Sequence, residues 1–264
     1  MSISDSIYGI CNLSVVPVRT EPSDKGEIGT QLLFGDYFMI LKRSQDNKWV
    51  YIQNGYDNYL GWIDFKQYKP VSKDYYELVS TADACLCKEL IGLIRGEKAF
   101  FPILFGTSLP FYKNGTVVLD NEVYTFEGQV HAPKKNSTFK FLEKNAFNYL
   151  NAPYLWGGKS HFGIDCSGFV QQVYRFSGYK FPRDAYQQAE VGQSVSMSEL
   201  KPGDTVFFHN DAGKVVHVGI ALENNRIIHA SGQVRIDTLD ENGIYNADRQ
   251  VYSHKLHSIK RILA

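Results

Sequence analysis

Residues Ala152 to Val170, APYLWGGKSHFGIDCSGFV, decide how the C-terminal half of this chain folds. A glycine-rich turn (Gly157, Gly158, Gly163) leads into Asp165-Cys166-Ser167-Gly168. An apolar run follows, in which Phe169, Val170, Val173, Tyr174 and Phe176 recur at helical spacing. The pattern predicts a helix beginning at Cys166. A thiol there faces unpaired backbone N–H groups and the positive end of the macrodipole, so the free-cysteine pKa of about 8.5 is expected to fall toward or below neutrality. Cysteine is also a common core residue, and Cys166 taken by itself fits a packing role as well.

Two histidines downstream change the balance. Val215-Val216-His217-Val218-Gly219-Ile220 and Arg226-Ile227-Ile228-His229-Ala230-Ser231-Gly232 read as β-strands joined by Glu223-Asn224-Asn225, the composition of a hairpin turn. A three-residue loop pairs Leu222 with Arg226 and Gly219 with His229. His217 then lies two residues from the partner of His229, on the same face and within diagonal reach. A two-residue Asn-Asn turn puts the imidazoles on opposite faces instead. On one face, His217 can take the thiol proton and His229 can fix its tautomer and orientation. The other reading of each histidine is a local hydrogen bond in a half-buried sheet.

The motifs PYLWGG (153–158), DCSGFV (165–170), RDAYQQ (183–188), LKPGD (200–204), HVGI (217–220) and IIHASG (227–232) occur in this order. They closely resemble those of the NlpC-type papain-like cysteine peptidases, which cut bacterial cell-wall peptides, and the resemblance runs from about Thr138 to Ala264. It implies a small α+β papain-like domain whose nucleophile helix packs on an antiparallel sheet. It also implies Cys166 as nucleophile, His217 as base, His229 as third residue and Tyr154 beside the oxyanion. Substrate contacts are implied at Asp165 and Ser167, and at Trp156 in the preceding loop. A phenol donor near developing negative charge is chemically sound, alongside backbone N–H groups at the helix start.

Composition limits what such a domain works on. The chain has 264 residues, 44% of them apolar, enough for one large or two to three small domains with real cores. Its 28 basic and 28 acidic residues cancel, which argues against a nucleic-acid surface. No run approaches the roughly 18 apolar residues of a membrane span. The N-terminus, MSISDSIYGICNLSVVPV, lacks a positive n-region and an uninterrupted apolar core, so it does not read as a secretory signal. The expected location is cytoplasmic if Met1 is the native start, and the cell envelope or periplasm if a signal segment has been removed. The four cysteines form no disulfide framework: Cys85 and Cys87, separated by one residue in a strand-like run, are poorly placed to bridge each other, and Cys11 sits in another apolar strand. Cys85-x-Cys87 without a second ligand pair is weak evidence for zinc, and His131, His161, His209, His254 and His257 form no ligand-spaced cluster. No metal or organic cofactor is expected.

Residues 7–70 read as a compact β unit. Strand-like runs at Tyr8–Val18, Gln31–Lys42, Trp49–Ile52 and Tyr59–Ile63 are punctuated by turns at Glu21–Asp24, Gly35-Asp36, Gln45–Asn47 and Asn54-Gly55. Short strands at this spacing suit a small barrel. PVRTEPSD (17–24), LLFGD (32–36), Trp49 and YLGWI (59–63) are similar to the bacterial SH3-like domains often fused to cell-wall hydrolases. Residues 76–131 repeat the size and strand-rich character, with turns at Gly106, Lys113-Asn114-Gly115 and Asp120-Asn121, but lack the tryptophans; they read as a second, diverged barrel. The linker Pro133–Ser137 then leads to an amphipathic helix (Phe139, Leu142, Phe147, Leu150). The expected organisation is two small SH3-like barrels, 1–72 and 76–131, followed by the peptidase domain, 138–264.

In relatives with this layout the first barrel closes one end of the cleft, and the enzymes release L-Ala-γ-D-Glu from murein peptides with a free amine. A buried ammonium must be paired, which suits a closed end lined with acceptors. The resemblance assigns Glu21 and Tyr59 to the amine, with Tyr56 an alternative to Tyr59, and Asp165 on the catalytic side. Ala185 stands where the family commonly has serine, a loss of one polar contact worth about 1 kcal/mol. The expected activity is a thiol endopeptidase that cleaves the γ-D-glutamyl–diamino acid bond of murein peptides, acting as a monomer. The alternatives are a related papain-like amidase or acyltransferase, and a non-catalytic peptidoglycan-binding protein.

Overall fold

The computed structural model describes residues 7–135 and 138–263. The first six residues and Asn136-Ser137 of the expected linker lie outside the described residues. The chain divides into two compact units, Met1–Pro133 and Lys134–Ala264.

The N-terminal unit opens with β1 (Tyr8–Ile10), β2 (Val15–Arg19), β3 (Ile28–Leu33), β4 (Tyr37–Arg43), β5 (Trp49–Asn54), β6 (Leu60–Asp64) and β7 (Lys69–Pro70). They form one sheet in the order β3-β2-β6-β5-β4-β1-β7, with antiparallel register throughout. Alternation explains its core: Val16 and Val18, Leu32, Phe38 and Ile40, Val50 and Ile52, and Ile63 all turn inward. The expected strand Tyr8–Val18 is split, because the chain turns between Ile10 and Val15 and there buries Cys11.

Residues 73–81, read above as gap and barrel, instead form a helix, α1 (Lys73–Thr81). Ser72 caps it, its side chain accepting from the Tyr75 amide at 3.2 Å, and Tyr75 and Val79 bury one face at i,i+4 spacing. Beyond it lie short strands, from β8 (Cys85–Cys87) through β9 (Ile91–Arg95), β10 (Phe100–Leu104), β11 (Ser108–Leu109), β12 (Thr116–Leu119) and β13 (Glu122–Phe126) to β14 (Val130–His131), in a four-stranded and a three-stranded sheet. The expected turns are where φ becomes positive, at Gly106, Asn114, Gly115 and Asp120. One apolar cluster joins Ile10 and Phe34 to Val71, Tyr75 and the strands beyond, so the two halves of this unit share a core.

The C-terminal unit begins with α2 (Phe139–Phe147). It buries Leu142, Asn145 and Ala146; Phe147 stays exposed and Leu150 lies past its end, so the expected apolar face is rotated. The hairpin β15 (Lys159–Ser160) and β16 (Gly163–Ile164) precedes α3 (Cys166–Phe176), every residue of which is buried. After α4 (Ala185–Gln188) come β17 (Gln193–Val195), β18 (Thr205–His209), β19 (Val215–Leu222), β20 (Arg226–Ser231), β21 (Gln233–Asp240), β22 (Gly243–Asn246) and β23 (Val251–Arg261). The order is β17-β23-β18-β19-β20-β21-β22, and a further β22–β23 pairing closes the sheet into a barrel. The chain is thus mostly β, with α3 packed against β19 and β20.

Candidate active site

The loop before α3 is built on close backbone approach. A Cβ at Gly168 would run into the carbonyl of Gly158 and sit 2.9 Å from Asp165 Oδ1, and a Cβ at Gly158 would meet the Gly163 carbonyl. Asp165 caps the helix, its Oδ1 accepting from the Gly168 amide at 2.7 Å and its Oδ2 from the Gly157 amide at 2.8 Å. Arg183, 1% exposed, reaches the same carboxylate, and its NH1 also donates to Ser167 Oγ at 2.9 Å. Ser167 Oγ lies 3.3 Å from Asp165 Oδ1.

Cys166 starts the helix, as the spacing predicts, and is buried. Its acidity runs against expectation. Burial first, and then the Asp165 charge, push the thiol up to about 12; the Val218 and Ser167 amides and Arg183 pull the other way without prevailing. The helix-start donors that favour a thiolate are partly spent on Asp165, and desolvation outweighs the rest. Val218 follows His217 on β19, one of the strands against which α3 packs.

β19 and β20 pair in the three-residue-loop register, Leu222 with Arg226 and Gly219 with His229, and Asn224 and Asn225 take the positive φ the loop requires. His217 Nε2 consequently lies 2.8 Å from His229 Nδ1. β21 continues the diagonal: its Arg235 stands opposite His229, and Asp237, two residues on, puts Oδ2 3.0 Å from His229 Nε2. Arg235 holds that carboxylate, NH2 donating to Oδ1 at 2.9 Å and Nε 2.8 Å from Oδ2, and NH2 also donates to Asp248 at 2.7 Å. Burial alone would raise Asp237, but the hydrogen bonds from His229 and Arg235 hold it below its ordinary value. Burial drives His217 well below 6.5, helped by His229 and His254. His229 is also lowered by burial, against the opposing pull of Asp237.

His254 is the unexpected neighbour. β18 pairs Phe208 with both His217 and Leu256, so barrel closure brings His254, two residues before Leu256, onto the same face. Its ring stacks on His217 with centroids 4.0 Å apart and planes at 21°. Nitrogens of His217, His229 and His254 all lie within 4.8 Å of one another, the spacing of a metal site. Imidazole lone pairs lie in the ring plane, however, and two nearly parallel planes 4.0 Å apart do not aim at one ion. The geometry fits stacking and hydrogen bonding. All four cysteines are free thiols.

The NlpC/P60 family model matches residues 151–253 of this chain, and the model of the bacterial dipeptidyl-peptidase SH3 domain matches residues 18–67. Residues 151–253 form an NlpC/P60 domain. The chain is 28% identical over 256 residues to γ-D-glutamyl-L-lysine dipeptidyl-peptidase of Bacillus subtilis (strain 168), covering 89% of this chain and 81% of that protein. Over 107 residues it is 44% identical to murein DD-endopeptidase MepS/murein LD-carboxypeptidase of Escherichia coli K12, which covers 38% of this chain and 56% of that one. The crystal structure of an NlpC/P60 family protein from Bacillus cereus ATCC 10987 superposes with a TM-score of 0.81 at 20% identity, covering 97% of this chain and all of that one, which shows the fold.

Within the NlpC/P60 domain the structure places Tyr154, Asp165, Cys166 and Ser167 around the start of α3, and His217 and His229 side by side on β19 and β20, the strands against which α3 packs. Tyr154 is half-buried, and its amide donates to the Gly232 carbonyl in the turn between β20 and β21. Burial, then the charges of Cys166 and Asp165, push its phenol up. Trp156 is exposed on the loop, and Ala185 opens α4. Asp165 and Ser167 are buried and already engaged by Arg183. Glu21 and Tyr59 lie in the other unit, Glu21 exposed in the turn after β2 and Tyr59 half-buried before β6, its phenol over Gly29. The sequence reading assigned no part to Arg183, Asp237 or His254. Arg183 stood in the quoted motif RDAYQQ, and Asp237 was within reach by extending the diagonal rule one strand further. His254 had no local signal, because barrel closure puts it there.

Proposed function

We propose that this chain is a cysteine peptidase that hydrolyses the γ-D-glutamyl–diamino acid bond of murein peptides with a free N-terminal L-Ala, releasing L-Ala-γ-D-Glu. The observation that carries the reading is Cys166 at the start of α3, which packs against β19 and β20, the strands whose His217 and His229 are hydrogen-bonded to each other at 2.8 Å. The likeness to γ-D-glutamyl-L-lysine dipeptidyl-peptidase over 89% of the chain supports the choice of bond.

In this reading the resting pair is neutral: a thiol held up by burial and an imidazole held down by it. Cys166 sulfur attacks the γ-carbonyl as His217 takes its proton. The Tyr154 phenol and the helix-start amides not taken by Asp165 stabilise the tetrahedral oxyanion. The imidazolium then protonates the leaving amine, and a water, with the same imidazole as base, cleaves the thioester. His229 orients His217; Asp165, Ser167 and Trp156 line the acyl side. Glu21 and Tyr59 are proposed as acceptors for the substrate ammonium. Residues 76–131 are proposed as a second, diverged SH3-like barrel, a reading their two small sheets support.

The test is mass spectrometry of the products from L-Ala-γ-D-Glu-L-Lys and its N-acetylated form, with Cys166→Ala as control. Release of L-Ala-γ-D-Glu from the free-amine peptide alone, lost in Cys166→Ala, is the expected result. Cleavage of both forms removes the amine requirement, and cleavage of neither overturns the peptidase reading.

A further inference from the structure

The His217–His229 hydrogen bond has two possible directions, and only one of them makes His217 a base. If His229 carries its proton on Nδ1 it donates to His217 Nε2, so that a neutral His217 is protonated at Nδ1 and has no lone pair there. If His229 carries its proton on Nε2, its Nδ1 accepts, His217 must donate from Nε2, and Nδ1 of His217 is bare. Among the described residues, His217 Nδ1 has no hydrogen-bond partner.

Asp237 decides between them. Its Oδ2 lies 3.0 Å from His229 Nε2, it is buried, and as a carboxylate it only accepts. Arg235 fixes it in that state and orientation by contacting both oxygens. Resting on the reading of Cys166 and His217 as the reacting pair, we propose that Asp237 is a positioning residue that sets the tautomers of both histidines. In this relay Nε2–H of His229 points at Asp237, Nε2–H of His217 points at His229, and the bare Nδ1 of His217 takes the thiol proton. During attack the imidazolium of His217 keeps its Nε2–H bond, and its positive charge is stabilised through His229 by the buried carboxylate. Neither relay residue changes its net protonation.

The relay makes an unusual ordering of variants. In Asp237→Asn the amide oxygen is drawn to the Arg235 donors, which turns the NH2 toward His229 Nε2. That nitrogen must then accept, and the whole relay inverts. Asparagine is the closest match in shape, so a merely structural role predicts that it is tolerated better than alanine. The relay predicts the reverse for activity. The experiment measures kcat, KM and Tm of the full chain as Asp237→Asn, Asp237→Ala and Asp237→Glu, and the imidazole nitrogen spectra of 15N-histidine-labelled wild type and Asp237→Asn, assigned with His217→Asn and His229→Asn.

The expected result is a loss in kcat of between about a hundredfold and ten-thousandfold for Asp237→Asn, the range set by inverting the tautomer of a catalytic histidine. KM stays within about threefold, Asp237→Ala loses less, and Asp237→Glu recovers part of the rate. The spectra show His217 protonated at Nε2 in the wild type and at Nδ1 in Asp237→Asn. Asparagine activity equal to or above that of alanine, or an unchanged His217 tautomer, overturns the proposal. If instead Cys166→Ala retains turnover, the peptidase reading falls, and the nitrogen spectra still decide the relay on their own.

Discussion

The Arg183 guanidinium spans both oxygens of the Asp165 carboxylate, NH1 3.0 Å from Oδ1 and NH2 2.6 Å from Oδ2, and both residues are buried. With the Gly157 and Gly168 amides, the pair fixes the turn from which Cys166 projects. Removing one partner of a buried pair leaves the other charge uncompensated. Arg183→Met is therefore expected to cost about 3–5 kcal/mol in urea unfolding, and Asp165→Asn added to it restores part of the loss. An Arg183→Met chain as stable as wild type would show that the carboxylate is not held in place by this pair.

The buried thiol makes a kinetic prediction. With Cys166 pushed up to about 12, iodoacetamide should modify it slowly at pH 7, with a rate still climbing beyond pH 9. Cys87, raised to about 11 by burial, also reacts slowly, so peptide mapping has to follow the Cys166 site itself. A rate at Cys166 that is already on a plateau at pH 7 would mean a preformed thiolate–imidazolium pair, and would contradict the neutral resting state.

The two histidines should separate in a mutational series. His217→Ala removes the base, whereas His229→Ala leaves it in place and removes the group 2.8 Å away that orients it. General-base catalysis contributes about 10²–10⁴-fold, so His217→Ala should lose at least that much in kcat and His229→Ala less. Equal losses would mean that the imidazoles act as one unit rather than as base and support.

The sequence carried the reacting set because its information is local. The glycines, the Cys166 helix and the Asn224-Asn225 turn fix a register, and the register alone puts two imidazoles on one face. What it did not carry depends on distant pairings. His254 reaches His217 only because β23 pairs with both β18 and β22. Asp237 needed the register of one more hairpin, and the helix α1 was overlooked although Ser72 and Asp74 mark its start. The fall expected in the Cys166 pKa failed for a different reason: a helix terminus is visible in a sequence, but the depth at which it is buried is not.

Glu21 offers a test of amine recognition that does not involve the chemical step. A charge-assisted hydrogen bond contributes about 1.5–3 kcal/mol, so Glu21→Gln should raise KM for L-Ala-γ-D-Glu-L-Lys roughly tenfold or more and leave kcat nearly unchanged. An unchanged KM would return Glu21 to the role of a solvated turn carboxylate.

Acid should unfold this protein through its histidines. Burial lowers His161 and His254 to about 4, His217 well below 6.5, and His229 in the same direction. In the unfolded chain all four titrate near 6.5, so between that pH and about 4 the unfolded state binds protons the folded state refuses. The sign follows: stability is fully present above about pH 6.5 and declines as pH falls, with each histidine contributing about 1.4 kcal/mol per pH unit inside its window. Asp237, held low by His229 and Arg235, adds its own loss only at lower pH, as it falls from the unfolded carboxyl range through its depressed value. Urea unfolding followed from pH 8 to pH 4 should show a flat stability that bends downward near 6.5, and His161→Phe should reduce the slope by about one proton. A profile flat to pH 5 would mean that these imidazoles are far less shielded from water than their packing indicates.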